Sequence, residues 1–244
     1  MRKIDSDKKE SILDLGEYRR SPSPGVGASK PKYHIIMPEG SVYFKFGLTN
    51  NEICAEILAY QLASELNVAA AVTMAAKYKQ EIGIASFDIG YYREPDDSVS
   101  YSIMDYLHIT GFIQMCLFDY LVMNEDRHAG NWGIINNEVA LLFDHNNCFG
   151  GEGGFKDADQ FMLKVTSSFY TDNEYKQRHD MILQFLAEKY PEEVVKFLDK
   201  VNKLPDITNN VLEGLMPEDH ARIKQLLRER IAYMNRRVGE FVGR

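Results

Sequence analysis

The alternation of apolar and polar residues predicts a β-hairpin in the first part of the chain. Residues 33–37 ("YHIIM") and 42–46 ("VYFKF") are short β-rich runs that flank the four-residue turn "PEGS". In residues 50–67 the apolar positions instead recur at helical spacing and keep to one face. Thr49, with Glu52 three residues later, forms the pattern of a capping box, so we expect a helix to begin there.

Further strands and a core helix are expected downstream. Residues 69–105 predict short strands, whereas the mostly apolar residues 109–123 predict a core helix that is too short to span a membrane. The runs "WGII" and "VALLFD" predict a second hairpin, whose Asn-Asn turn suits positive φ. After about residue 172 we expect only helices, with Pro191 and Pro217 in first turns. The expected segments are 172–190, 191–203, 205–215 and 217–241.

Composition excludes several classes of protein. The formal net charge of −8 argues against broad, sequence-independent binding to nucleic acid or anionic membranes, because both need concentrated cations. No apolar run approaches the roughly 20 residues of a membrane span, and the polar N-terminus does not resemble a secretory signal. Cys54, Cys116 and Cys148 lie in or beside apolar sequence, so we expect buried, reduced thiols in a cytoplasmic protein. No spacing typical of a cysteine or histidine metal site is present in the sequence.

The sharpest chemical signal is the polar loop "NEDRHAGNWG", residues 124–133, between the core helix and the second hairpin. Asp126 and Asn131 have the D-x-x-x-x-N spacing of kinase catalytic loops, in which the aspartate orients the acceptor hydroxyl and the asparagine binds a metal ion. Asp144 ends the hairpin, and a carboxylate that leaves a buried strand needs a counter-charge, which a Mg²⁺ shared with Asn131 would supply. The alternative is a polar surface turn without chemistry.

Two upstream features could hold a nucleoside triphosphate. Lys45 lies amid aromatic residues on a predicted strand, and Glu56 on the following helix is the nearest carboxylate able to keep a buried lysine charged. The alternative is a lysine that extends to the edge of the sheet. A Gly-rich turn before the first strand could bring backbone amides close to phosphate, and its alternative is a flexible loop. This turn contains Gly25, Gly27, Ser29, Lys30 and Lys32.

The ordered set of motifs resembles one known family. "NEDRHAGN" followed by "LLFDHNN" is similar to the catalytic and metal-binding segments of the HipA-like kinases, bacterial Ser/Thr kinases of toxin–antitoxin systems that are distantly similar to phosphatidylinositol 3/4-kinases. Upstream, "GASKPK", "YFKF" and "AEILAYQLASELN" occur in the matching order. The resemblance covers about residues 20–150. It implies an α+β, two-lobed, protein-kinase-like fold with a β-rich N-lobe, residues 1–105, and a mostly helical C-lobe, residues 106–244.

The resemblance also implies roles for individual residues. Asp126 would be the catalytic aspartate, while Asn131 and Asp144 would hold Mg²⁺. Lys45 would contact the α- and β-phosphates of ATP, and Glu56 would steady Lys45. Arg127 and His128 would brace the loop. The phosphate-covering loop would comprise Gly25, Gly27, Ala28, Ser29, Lys30 and Lys32.

The implied activity is ATP- and Mg²⁺-dependent phosphorylation of a Ser or Thr hydroxyl on a protein. Some HipA-like kinases phosphorylate a serine of their own phosphate loop, for which Ser21, Ser23 and Ser29 are the local candidates. An antitoxin partner follows from family analogy alone, without direct binding to nucleic acid. The alternatives are a phosphoinositide-type lipid kinase, since the D-R-H-x-x-N loop is shared, and an inactive pseudokinase that acts as a binding module. His145-Asn146 follows Asp144 in place of Phe-Gly, so the regulation of ordinary protein kinases is not implied.

Overall fold

The computed structural model describes most of the chain, with several gaps. The described ranges are 12–21, 30–95, 103–124, 126–153, 166–172, 175–204 and 220–242. The predicted phosphate-loop residues Gly25, Gly27, Ala28 and Ser29 lie outside them, as do Ser23, Pro217 and the helix expected near 205–215. Within the described ranges, no helix is long and apolar enough to cross a membrane.

A six-stranded sheet forms the first half of the molecule. Its strands are β1 (Leu13–Asp14), β2 (Arg19–Ser21), β3 (Lys32–Met37), β4 (Gly40–Phe46), β5 (Thr73–Tyr78) and β6 (Glu81–Phe87). Their order in space is β1-β5-β6-β4-β3-β2, antiparallel except for the pair β1–β5. Ile35, Val42 and Phe44 are completely buried in a core on one face of the sheet. Because side chains alternate along a strand, Lys45 points to the other face.

The β3–β4 hairpin confirms the first predicted pair of strands, with a tighter turn. β4 begins at Gly40, so the turn contains only Pro38 and Glu39 instead of the expected four residues. Gly40 has a φ of 144°, which residues with a Cβ rarely adopt. The pairing also sets Lys45 opposite Ile84 of β6, inside the sheet rather than at its edge.

The helix α1 (Asn50–Leu66) begins with the predicted capping box. The Thr49 N–H donates to Glu52 Oε2 at 2.7 Å, and the Glu52 N–H donates to Thr49 Oγ1 at 3.2 Å. The expectation of a single apolar face was wrong, because α1 is buried around most of its circumference. Ile53 and Ile57 lie off the predicted face and are buried as well. One side contacts β5 and β6, and the other contacts the helical half of the molecule.

The second half combines helices with two hairpins. The helices are α2 (Phe112–Val122), α3 (His179–Lys189), α4 (Pro191–Val201) and α5 (His220–Val242), and the strands are β7 (Trp132–Ile135), β8 (Val139–Leu142), β9 (Thr166–Asp172) and β10 (Tyr175–Arg178). Short 3₁₀ turns span Ile103–Tyr106, Ala129–Asn131 and Cys148–Gly153. The core helix, the Asn-Asn hairpin and Pro191 at a helix start are confirmed. The prediction of helices alone after residue 172 was wrong, because β10 pairs with β9.

One large core joins α1 to the helices of the second half. Leu58, Leu62 and Leu66 of α1 are completely buried in the same cluster as Phe118 of α2 and Val194 of α4. At the C-terminal end of α1 the Lys200 ammonium of α4 donates to the Leu66 carbonyl at 3.1 Å. The predicted boundary between residues 105 and 106 stays a prediction, and α1 packs across it.

Candidate active site

The β7–β8 hairpin, whose two open ends lead to Asn131 and Asp144, is fastened on several sides by backbone hydrogen bonds. Three segments outside the named strands pair with it through isolated bridges. They contribute Ala70, just after α1, Arg93, after β6, and Thr110, just before α2. These bonds are 2.7–3.0 Å long. The hairpin is therefore a rigid base for the residues at its ends.

Lys45 is held between two carboxylates. Its ammonium lies 2.9 Å from Glu56 Oε1, on the second turn of α1, and 2.6 Å from Asp144 Oδ1, beyond the end of β8. The Lys45 side chain is only 14% exposed. Burial disfavours the charged ammonium, but Glu56 and Asp144 outweigh it and raise the pKa of Lys45 above its ordinary value. Lys45 is therefore a fixed positive charge.

Glu56 has a second neighbour, His145. The backbone N–H of His145 donates to the Glu56 carboxylate, and the His145 ring Nδ1 lies 3.8 Å from Glu56 Oε2. Burial, with Arg127 and Lys45 nearby, places the pKa of His145 well below its usual range, so the ring is neutral and the contact is not an ion pair. Burial raises the pKa of Glu56 although Lys45 opposes this, since a carboxylate costs free energy in a site that water barely reaches.

A buried ion pair shapes the polar loop. Asp119 of α2 accepts from Arg127 Nε at 2.9 Å and Nη2 at 3.0 Å, which makes a bidentate pair between two almost fully buried side chains. Arg127 Nη1 also donates to the Asn131 carbonyl and, at 2.9 Å, to the Phe143 carbonyl. Asp119 in addition accepts from Asn124 Nδ2 at 3.0 Å. Arg127 thus ties α2 to both open ends of the β7–β8 hairpin.

Asp126 lies where the loop meets solvent, with its side chain 44% exposed. Its Oδ2 accepts from Asn147 Nδ2 at 2.9 Å, and Asn131 Nδ2 lies 3.5 Å from the same oxygen. Asn131 Nδ2 donates more closely, at 2.7 Å, to the Asp126 carbonyl. His128 Nδ1 accepts from the Gly130 N–H, which shapes the 3₁₀ turn. Among the described residues of the loop, Asp126 therefore presents a carboxylate that solvent can reach, on a backbone held by these hydrogen bonds.

Asn131 and Asp144 have oxygen atoms suited to a Mg²⁺ ion. The Phe143 N–H donates to the Asn131 carbonyl at 3.2 Å. The backbone of Asn131 therefore lies beside the residue that precedes Asp144. Because the Asn131 nitrogen is committed to Asp126, its side-chain oxygen is the atom that could bind a cation, and Asp144 Oδ2 offers a second hard ligand. Among the residues with described side chains, no group of three or more His, Cys, Asp and Glu could hold a metal ion. This donor set suits Mg²⁺, which usually binds one or two protein oxygens together with phosphates and waters.

The remaining predicted residues have mixed positions. Lys30 pairs with Glu52 of the capping box, at 3.2 Å, and so lies at the start of α1. Lys32 pairs with Lys45 across β3 and β4, and its ammonium is 5.8 Å from the Tyr43 ring. Ser21 ends β2. The nucleotide-binding role of all these residues stays a prediction.

Sequence reasoning missed three residues that contact the site: Asp119, Asn147 and His145. Asp119 had a signal, because it is the lone acid in the mostly apolar sequence of α2. A buried helix tolerates such a carboxylate when a cation is close. Asn147 and His145 lie within the quoted "DHNN" segment, but only the folded chain shows which partners they contact.

Comparison with known proteins identifies the fold. No protein-family model and no curated protein matches the chain. Among solved structures, the Helicobacter pylori proinflammatory kinase CtkA superposes with a TM-score of 0.65 at 18% identity, over 95% of this chain and 97% of that chain. HipA of the Shewanella oneidensis MR-1 toxin–antitoxin system, solved with HipB and operator DNA, gives a TM-score of 0.49 at 11% identity, over 89% and 65%. The likeness to CtkA shows that this chain has the fold of a kinase, and the predicted α+β, kinase-like architecture is confirmed.

Proposed function

We propose that this protein is an ATP- and Mg²⁺-dependent kinase of the HipA-like type that phosphorylates Ser or Thr hydroxyls on protein. The observation that carries the proposal is the contact of Lys45 with both Glu56 and Asp144, beside a loop that presents Asp126. These groups come from a strand, a helix and two loops that are far apart in the sequence. Their convergence in a kinase fold supports a site for phosphoryl transfer.

Lys45 would bind the α- and β-phosphates of ATP. Its ammonium stays charged because Glu56 and Asp144 raise its pKa. Glu56 is anchored in the core on α1 and holds the ammonium from the side away from solvent. The phosphates would then meet a positive charge that needs no rearrangement during the reaction, which is the main way in which such enzymes lower the barrier.

Asp126 would align the acceptor. Its half-exposed carboxylate can accept a hydrogen bond from an incoming hydroxyl. As the hydroxyl oxygen bonds to the γ-phosphorus, the bond from that phosphorus to the β–γ bridging oxygen breaks and ADP leaves with the electron pair. The hydroxyl proton passes to Asp126. Asn131 and Asp144 would hold Mg²⁺, which when bound neutralises charge on the phosphates.

The partner and the compartment are further parts of the proposal. An antitoxin is a candidate partner through the HipA-like resemblance alone. Autophosphorylation is proposed for the serine-containing segment before β3, without a choice among its serines. The three cysteines are free and buried, which agrees with a reducing cytoplasm.

The test compares wild type with Asp126→Ala and Asp144→Ala, incubated with radiolabelled ATP, Mg²⁺ and a generic protein acceptor. We expect both variants to lose label transfer by at least about 100-fold, since each removes a group that acts in the transition state. Asp14→Ala is the matched control, because Asp14 is an exposed acid paired with Lys77 on the sheet. Intact-mass analysis after incubation shows whether the chain is its own acceptor.

Three outcomes would contradict the proposal. Undiminished transfer by both variants would remove Asp126 and Asp144 from the chemistry. Label on phosphoinositide vesicles but on no protein would indicate a lipid kinase. Calorimetry showing no binding of nucleotide or Mg²⁺ by folded wild type would indicate a pseudokinase.

A further inference from the structure

Asn147 contacts the proposed catalytic carboxylate. Its Nδ2 donates to Asp126 Oδ2 at 2.9 Å, the shortest hydrogen bond described for that side chain. Asn131 Nδ2 reaches the same oxygen only at 3.5 Å, and His128 Nε2 lies 3.9 Å away, beyond hydrogen-bond distance. Oδ2 therefore accepts its hydrogen bonds from side chains of the protein, whereas none of the described residues donates to Oδ1.

The segment that carries Asn147 also carries Asp144. Residues 144–149 begin and end with positive φ, 61° at Asp144 and 52° at Phe149, and the Cys148 N–H closes a turn onto the His145 carbonyl at 2.9 Å. Asp144, the first residue of this segment, contacts Lys45, while Asn147, three residues later, contacts Asp126. One short segment therefore connects the phosphate-binding side of the site to the acceptor side.

Fixing Oδ2 has a consequence for the other oxygen. The terminal torsion of an aspartate is broad, so a free carboxylate can rotate and present either oxygen in a range of directions. A donor that holds Oδ2 limits this rotation and leaves Oδ1 as the acceptor for an incoming hydroxyl. Misplacement of a reacting group by about 1 Å can cost about 100-fold in rate.

We propose that Asn147 is a positioning residue that aims Asp126 at the acceptor hydroxyl. This inference rests on the proposed kinase function and deepens it, since it names a group outside the motifs of the loop. The amide acts as a hydrogen-bond donor. An isosteric carboxylate at this position cannot donate, and it would repel Asp126.

The test measures two products separately: phosphate transferred to protein and phosphate released to water. In Asn147→Ala we expect transfer to fall by about 10- to 100-fold, with KM for ATP within about 2-fold of wild type. Hydrolysis by water should fall less, because water does not need the same alignment, so the ratio of transfer to hydrolysis drops. Asn147→Asp, which keeps the shape but not the donor, should lower the ratio at least as far. Asn202→Ala is the matched control, since Asn202 Nδ2 donates to Asn235 Oδ1 at 3.0 Å on the exposed surface.

The outcomes separate this inference from the function on which it rests. Wild type that transfers no phosphate would overturn the kinase proposal itself. An active wild type with an unchanged ratio in both Asn147 variants would overturn the positioning role alone. So would a parallel loss of transfer, hydrolysis, ATP affinity and melting temperature, because that pattern indicates a general loss of structure.

Discussion

The pairing of Asp119 with Arg127 makes the stability of the fold depend on one buried carboxylate. Asp119→Asn keeps the size of the side chain but removes its charge and replaces one acceptor oxygen with an NH₂ group. Arg127, which is 1% exposed, would then keep its charge but lose the carboxylate that pairs with it in a bidentate contact. Both of the 2.9–3.0 Å bonds to Asp119 are charge-assisted, so the substitution removes one and weakens the other.

The expected loss of stability is large. Removal of one partner from a buried ion pair costs about 3–5 kcal/mol, mostly because a charge remains without compensation. Domains are stable by only about 5–15 kcal/mol in total. For a chain of this size each kcal/mol lowers the melting temperature by roughly 2–4 °C, so Asp119→Asn should melt at least about 6 °C below wild type.

Asp14→Asn is a control with the same chemical change. Asp14 Oδ2 lies 2.9 Å from the Lys77 ammonium, as close as Asp119 Oδ2 lies to Arg127 Nε, but both side chains of the Asp14–Lys77 pair are about half exposed. Exposed ion pairs contribute little because water and salt screen them. Thermal and urea unfolding, followed by circular dichroism, should separate the two variants clearly.

Equal shifts in both variants would refute the argument from burial. A double substitution gives a second check. Asp119→Leu with Arg127→Met removes both charges, so its cost in unfolding free energy should be smaller than the sum of the two single costs. Simple additivity would show that the ion pair does not couple these residues.

Three further predictions concern the fold around the site. Thr49→Ala should lower stability by about 1 kcal/mol in urea unfolding, through loss of the helix cap, and no change would contradict the role of the capping box. Gly83→Ala should destabilise the folded protein by roughly 1–3 kcal/mol or more, because the new Cβ would lie 1.9 Å from the Lys45 carbonyl oxygen. Gly239→Ala is the control, since a Cβ at that position on α5 would lie in open space and should not destabilise the protein. Burial raises the pKa of the Cys148 thiol well above its usual range, so iodoacetamide should label Cys148 only in unfolded protein, and rapid labelling of native protein would contradict its burial.

Features that depend on residues close together in the chain could be predicted from the sequence. The capping box, the Asn-Asn turn and the strand that carries Lys45 follow from spacing within a few residues, and the structure confirms each. The proximity of Lys45 and Glu56 followed from the same local reasoning, because a strand that leads directly into a helix brings the two side chains together. Their proposed role in nucleotide binding stays a prediction.

Long-range contacts were beyond these local rules. Asn147 is 21 residues from Asp126, and no periodicity joins them, so their hydrogen bond depends on how the β7–β8 hairpin folds. The β9–β10 pair was missed for another reason. The predicted helix begins at residue 172, seven residues before the observed start at His179, and so includes Tyr175, a residue type that favours strands.

The position of α1 limits how this protein could be switched off. Many two-state enzymes change activity by swinging one element away from its partner, and here that would mean moving Glu56 away from Lys45. Leu58, Leu62 and Leu66 are wholly buried, and exposing all three would cost about 5–9 kcal/mol, comparable to the stability of an entire domain. Swinging α1 outward would therefore come close to unfolding the protein. We expect inhibitors and partners to act at the mouth of the site, by excluding ATP or the acceptor, and to leave this helix in place.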